Sequence, residues 1–169
     1  MNELLRASIR GDEVEAKRLL DHGADVNAKN EFQTTPLHEA RNEAIVKLLL
    51  VHGADVNARD QWQNTPLRLA RNGAIMKLLL DHGADVNARD EYQQTPLLHH
   101  AWDEAIVKLL LDHGADVNAR GLYQKTPLLC AGNVATARLL LNRGAQLTAV
   151  DYIGHNALHM AAVDSDLEL

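Results

Sequence analysis

The string His-Gly-Ala-Asp-Val-Asn-Ala begins at His22, His52, His82 and His113, and a weaker copy, Arg-Gly-Ala-Gln-Leu-Thr-Ala, begins at Arg143; the steps are 30, 30, 31 and 30 residues. A fixed period of this size constrains the fold more than any other feature, because it means a series of stacked, near-identical units. A second string keeps phase with the first: Thr35-Pro36-Leu37, Thr65-Pro66-Leu67, Thr95-Pro96-Leu97 and Thr126-Pro127-Leu128, with Asn156-Ala157-Leu158 as a degenerate fifth copy.

Each Thr-Pro marks a helix start. The Thr hydroxyl takes up an orphan amide, and Pro loses nothing at the first helical position, where its missing donor had no partner. A short first helix therefore begins there. Asn42, Asn72, Asp103 and Asn133 form one column of N-cap residues, each ahead of an apolar run such as Ala44-Ile45-Val46-Lys47-Leu48-Leu49-Leu50, and predict the second helix. Gly23, Gly53, Gly83, Gly114 and Gly144 stand where that helix ends in a left-handed turn. The stretch from Asp25 to Thr35 and its equivalents lack helical periodicity and predict a protruding hairpin-like loop. Helices this short do not bury their apolar stripes alone, so neighbours must stack. The expected fold is an all-α repeat solenoid in a single domain, 1–169, with units 1–29, 30–59, 60–89, 90–120, 121–150 and an incomplete 151–169.

The pattern DxxxxTPLxxA followed by IVKLLLxHGADVNA resembles the ankyrin repeat over the whole chain. The resemblance implies helix-turn-helix units with protruding hairpins, a concave surface made of hairpin tips and first helices, and protein binding as the role. Two departures stand out. The interior units fall short of the usual period of about 33 residues, and the shortfall lies at the end of the first helix and in the inter-helix turn. The first and last units keep fuller spacing. In the hairpin, Gln33, Gln63, Gln93 and Gln124 take the place of the usual Gly, which only Gly154 retains. Gln at positive φ is strained, so either the turn is remodelled or the glutamines gain something by stacking.

The chain has only six aromatic residues, and Phe32, Trp62, Tyr92 and Tyr123 fall in one hairpin column, with Tyr152 one position away. Such a column is a partner-binding edge rich in hot-spot side chains, or a structural ladder that stiffens the shortened repeats; the two readings are compatible. The fourth unit's extra residue produces His99-His100-Ala101-Trp102, a candidate specificity element. Arg41 and Arg71 could flank the same groove and pair with acidic partner residues, although solvated surface arginines are the plainer reading. Two adjacent histidines without a third ligand do not make a metal site, and no cofactor is expected. His22, His52, His82 and His113 fall in the last helical turn, where a donor complements exposed carbonyls. Lys47, Lys77, Lys108 and Arg138 form a solvated column. His38 and His159 match the family's turn-bracing histidine, whereas Arg68, Leu98 and Leu129 do not.

Nothing in the chain supplies a nucleophile with a base, a carboxylate pair in a pocket or a phosphate-cradling loop. The net charge of -6 opposes nucleic-acid binding, and no apolar run is long enough for a membrane span. A lone Cys130, read as a buried structural thiol, favours an intracellular, cytoplasmic setting. The expected function is thus a non-catalytic, monomeric protein-protein interaction module: a scaffold, adaptor or inhibitor. The alternative is a regulatory or sensory segment of a longer protein, suggested by the last unit stopping at Leu167-Glu168-Leu169. The resemblance further implies asparaginyl hydroxylation at Asn27, Asn57, Asn87 and Asn118, each preceded by Asp-Val and by a Leu eight residues upstream; the plainer role is hydrogen bonding within the hairpin.

Overall fold

The computed structural model describes residues 2–70 and 72–159 and divides the chain into two compact units, 1–85 and 86–169. Arg71 and the end of the last repeat, residues 160–169, therefore lie outside the described residues. Nine α-helices, one 3-10 turn and a helical segment at 157–159, with no strand, make up the regular structure of the described residues, as expected of an all-α repeat solenoid.

In the first unit, α1 (Glu3–Arg10), α3 (Pro36–Glu39) and α5 (Pro66–Leu69) are the first helices of their repeats. The second helices are α2 (Glu13–Asp21), α4 (Glu43–Val51) and α6 (Gly73–Asp81). First helices pack on first helices and second on second, α1 on α3, α3 on α5, α2 on α4 and α4 on α6. The reason lies in the spacing of apolar residues: Ile45, Val46 and Leu49, like Ile75, Met76 and Leu79, fall on one helical stripe and are fully or almost fully buried. Leu4, Leu5 and Leu67 belong to the same core.

The second unit repeats the scheme with α7 (Pro96–His99) packed on α8 (Glu104–Asp112), and α8 on α9 (Val134–Asn142). Leu97, Ala101, Val107, Leu110 and Leu140 are among its most deeply buried apolar residues.

The N-cap column behaves as its chemistry dictates. Asn42, Asn72 and Asn133 each accept from the backbone N–H three residues on, at 2.8, 2.9 and 2.8 Å, and Asp103 accepts from both Ala105 and Ile106. At the other end Gly23, Gly53, Gly83, Gly114 and Gly144 all lie at φ between 83° and 91°, and each helix-end histidine turns its Nδ1 onto the carbonyl four residues back. Because a carbonyl oxygen only accepts, Nδ1 is the donor in each.

The trimmed first helix is real: α3, α5 and α7 have four residues each, against eight in α1. In the fifth repeat the expected helix is absent, and residues 127–130 form one turn. The Cys130 N–H reaches the Thr126 carbonyl at 3.1 Å, but the Gly132 N–H bonds to Ala101 of the preceding repeat at 3.4 Å.

The Thr hydroxyls also divide. Thr95 and Thr126 accept long bonds of 3.4 Å from the amides three residues on. Thr35 pairs its hydroxyl with His38 Nδ1 at 2.8 Å instead, and the His38 Nε2 donates 3.1 Å to the Asn64 carbonyl of the next repeat. His38 is buried, and burial holds its pKa below the ordinary histidine value against the pull of the Asn64 bond. His159 Nδ1 likewise accepts from the Asn156 N–H, at 3.3 Å.

Candidate interaction surface

The hairpin tips are built on a side chain that stands in for backbone. Asn30, Asp60 and Asp90 each accept at Oδ1 from the amides two and four residues on, at 2.8–2.9 Å. The residue two positions on is the aromatic, so the same bonds that fold the loop fix where Phe32, Trp62 and Tyr92 leave it. The residue after each aromatic is forced into the left-handed region: Gln33, Gln63 and Gln93 lie at φ 60°, 63° and 60°. Arginines brace two of these carbonyls, Arg59 reaching Gln63 and Arg89 reaching Gln93, both at 3.2 Å. The glutamines thus keep the turn at a steric cost, offset in part by a charge-assisted bond.

The fifth repeat departs from this scheme, and the cause is a residue that the sequence reading passed over. Gly121 occupies the Asn30/Asp60/Asp90 column and has no side chain to close the loop. Here Leu122–Gln124 winds into a 3-10 turn, and both Tyr123 and Gln124 take positive φ, 58° and 59°. A Cβ at Gly121 would stand 3.0 Å from Leu98 Cδ1, so the Leu98 side chain crowds this position. The signal was present in the column itself, Asn30, Asp60, Asp90, Gly121, Asp151.

The aromatic rings meet in pairs. Phe32 and Trp62 stack with centroids 6.0 Å apart and planes 19° apart, and the Gln61 N–H joins the two hairpins by donating 3.0 Å to the Phe32 carbonyl. Tyr123 and Tyr152 lie 5.0 Å apart and tilted, with the Tyr152 N–H on the Tyr123 carbonyl at 3.0 Å. Stacking leaves these rings open to solvent: Phe32 and Trp62 remain 44% and 41% exposed, Tyr123 and Tyr152 56% and 64%. Tyr92 is also exposed, and the neighbouring Glu91 carboxylate raises its phenol pKa.

The residues around the insertion separate. His99 is exposed and His100 is buried, their rings edge-to-face at 4.8 Å. Burial corrects the reading of His100 as a surface contact: it closes the end of α7, and its side chain does not face solvent. Trp102 is 61% exposed, with its indole N–H on the His99 carbonyl at 3.2 Å. Arg41 is exposed between α3 and α4; Arg71 lies outside the described residues.

Among the described residues, no group of three or more His, Cys, Asp or Glu side chains is arranged to hold a metal ion, and no helix is long and apolar enough to cross a membrane. Cys130 is half-buried where full burial was expected, and desolvation raises its pKa, which keeps it a protonated and poorly nucleophilic thiol.

The four asparagines of the Asp-Val-Asn segments have a role beyond their own hairpins. Asn27 donates to the Gly53 carbonyl and accepts from the Asp55 amide, at 3.2 and 2.8 Å. Asn57 does the same with Gly83 and Asp85, Asn87 with Gly114 and Asp116, and Asn118 with Gly144 and Gln146. Each amide therefore staples its repeat to the helix stop of the next.

A family model described as Ankyrin repeats (3 copies) matches residues 2–60 and again 41–121. No curated protein matches the chain.

Proposed function

The chain belongs to the ankyrin-repeat family, and on that premise we propose that it is a non-catalytic scaffold, adaptor or inhibitor that holds another protein against its hairpin edge and first-helix face. Ankyrin repeats are protein-protein interaction modules. The observation that carries the finer reading is the Phe32–Trp62 pair. Both rings keep more than two-fifths of their surface in water although they stack, so they stay available to a partner. Rigid, amphipathic rings lose little conformational freedom on binding, which is why such residues concentrate binding energy. The Tyr123–Tyr152 pair offers a second apolar footing, and Trp102 and His99 a third.

The reading extends to a cytoplasmic protein, monomeric on its own, whose partner is a folded domain or a peptide. It is supported by the cysteine content, a single Cys130 with which no internal disulfide can form. A photo-crosslinking amino acid at position 62 or 123, compared with one at Lys77 on the solvated column, tests it in cells of the source organism. Partner adducts from the hairpin positions and none from position 77 are expected. Equal or stronger adducts from position 77 would move the interface to the second-helix face and sink the proposal.

A further inference from the structure

We propose that Asn72–Gly73 is a spontaneous deamidation site whose rate is set by opening of the α6 N-cap. It is the only Asn-Gly pair in the chain, and the equivalent positions after the other N-caps are Glu43, Glu104 and Val134. In the reaction the Gly73 backbone nitrogen attacks Asn72 Cγ and forms a five-membered imide. The Cγ–Nδ2 bond breaks, and Nδ2 leaves as ammonia with the proton from the Gly73 amide. Water then opens the ring. Cleavage on the side-chain carbonyl gives aspartate with the backbone intact; cleavage on the main-chain carbonyl gives isoaspartate, with the backbone rerouted through the former side chain. No oxidant or reductant is needed.

Three features of the structure bear on this chemistry. Gly73 is the first residue of α6, so its N–H is one of the orphan donors of the helix start and is not tied into the helical ladder. Glycine at position 73 carries no side chain, so nothing on the residue after Asn72 hinders attack by its nitrogen. Asn72 is exposed to the water that opens the imide. One feature opposes it: Asn72 Oδ1 is held 2.9 Å from the Ile75 N–H, and the cap bond must break before Cγ turns toward the Gly73 nitrogen. Local opening of the helix start therefore gates the reaction. The Asp-Val-Asn asparagines differ on both counts, since each is followed by Ala and each is held at both ends of its amide.

The two products differ in consequence. Asp103 already caps α8 through the Ala105 and Ile106 amides, at 3.0 and 3.2 Å, so an aspartate at the α6 cap is structurally silent and adds a negative charge where the helix dipole favours one. Isoaspartate lengthens the main chain by a methylene and displaces the cap from the Ile75 amide, loosening the repeat from its N-terminus. The site thus marks the age of the folded protein.

Incubating the folded, full-length protein at mildly alkaline pH and mapping its peptides, with isoaspartyl methyltransferase labelling as the probe, provides the test. The expected result is that Asn72 converts ahead of every other asparagine, that Gly73→Ala slows the conversion several-fold while circular dichroism stays unchanged, and that denaturant speeds it. Asn72→Asp should melt with the parent, and the isoaspartate fraction below it. Equal conversion at Asn72 and Asn133, or a Gly73→Ala protein that converts as fast as the parent, overturns the assignment. Equal rates in the folded and denatured states overturn control by the cap.

Discussion

A Cβ at Gly132 would stand 2.9 Å from Trp102 Cβ and 3.1 Å from Trp102 Cα. The extra residue of the fourth repeat and the glycine of the fifth are therefore one feature. Gly132 sits in the column of Arg41 and Arg71, and it lacks a side chain because the inserted backbone fills that space. The contact is reinforced by the Asn133 side chain, which donates 3.3 Å to the Trp102 carbonyl.

Gly132→Ala should accordingly destabilise the second unit by about 1–3 kcal/mol, the usual range for overpacking against atoms that do not yield. Deleting Ala101 in the same protein, which restores the 30-residue step, should recover most of the loss. Urea denaturation of the single and double variants measures both. An additive double variant would mean that the two positions are not coupled.

Stability should depend on pH through His38. Its folded pKa is lowered by burial, so as pH falls below about 6.5 the unfolded chain takes up a proton that the folded protein refuses. Protonation also removes the Nδ1 acceptor used by Thr35. The contribution is thus fully present above the unfolded pKa and declines as pH falls from there toward the folded value. His38→Gln should flatten that part of the stability-against-pH curve, measured by thermal melts between neutral and mildly acid pH. An unchanged slope would show that His38 is not the titrating group.

Trp62→Ala should weaken partner binding by about 2 kcal/mol or more, the scale of a hot spot, while lowering stability by only about 0.5–1.5 kcal/mol, the value of one aromatic pair. Calorimetry with the crosslinked partner and a urea melt give the two numbers. A large stability loss with unchanged affinity would make the Phe32–Trp62 stack purely a structural brace.

Asn57→Ala should cost about 1–3 kcal/mol, because it leaves the Gly83 carbonyl and the Asp85 amide without this partner. The same staples bear on the proposed asparaginyl hydroxylation, since an enzyme must first pull the amide out of the neighbouring repeat. Asn27 should be oxidised ahead of Asn87 in protein made in animal cells. Peptide mass analysis decides it: no added oxygen at Asn27, Asn57, Asn87 or Asn118 ends that proposal, and preferential oxidation of Asn87 ends the opening-controlled form.

The sequence by itself determined what depends on a few adjacent residues. Thr-Pro, the N-cap asparagines and the helix-stop glycines act on amides within three or four positions, so the second helices, their ends and the trimmed first helices were legible as strings. The hairpin was legible as a loop for the same reason. Only the tertiary structure decided what one repeat does to the next. It turned the Asp-Val-Asn asparagines into staples, because their partners lie 26 to 29 residues away. It buried His100 while leaving Trp102 exposed. It also set the Gly132 N–H on the Ala101 carbonyl of the preceding repeat, beyond the single turn at 127–130 that stands where a first helix was expected.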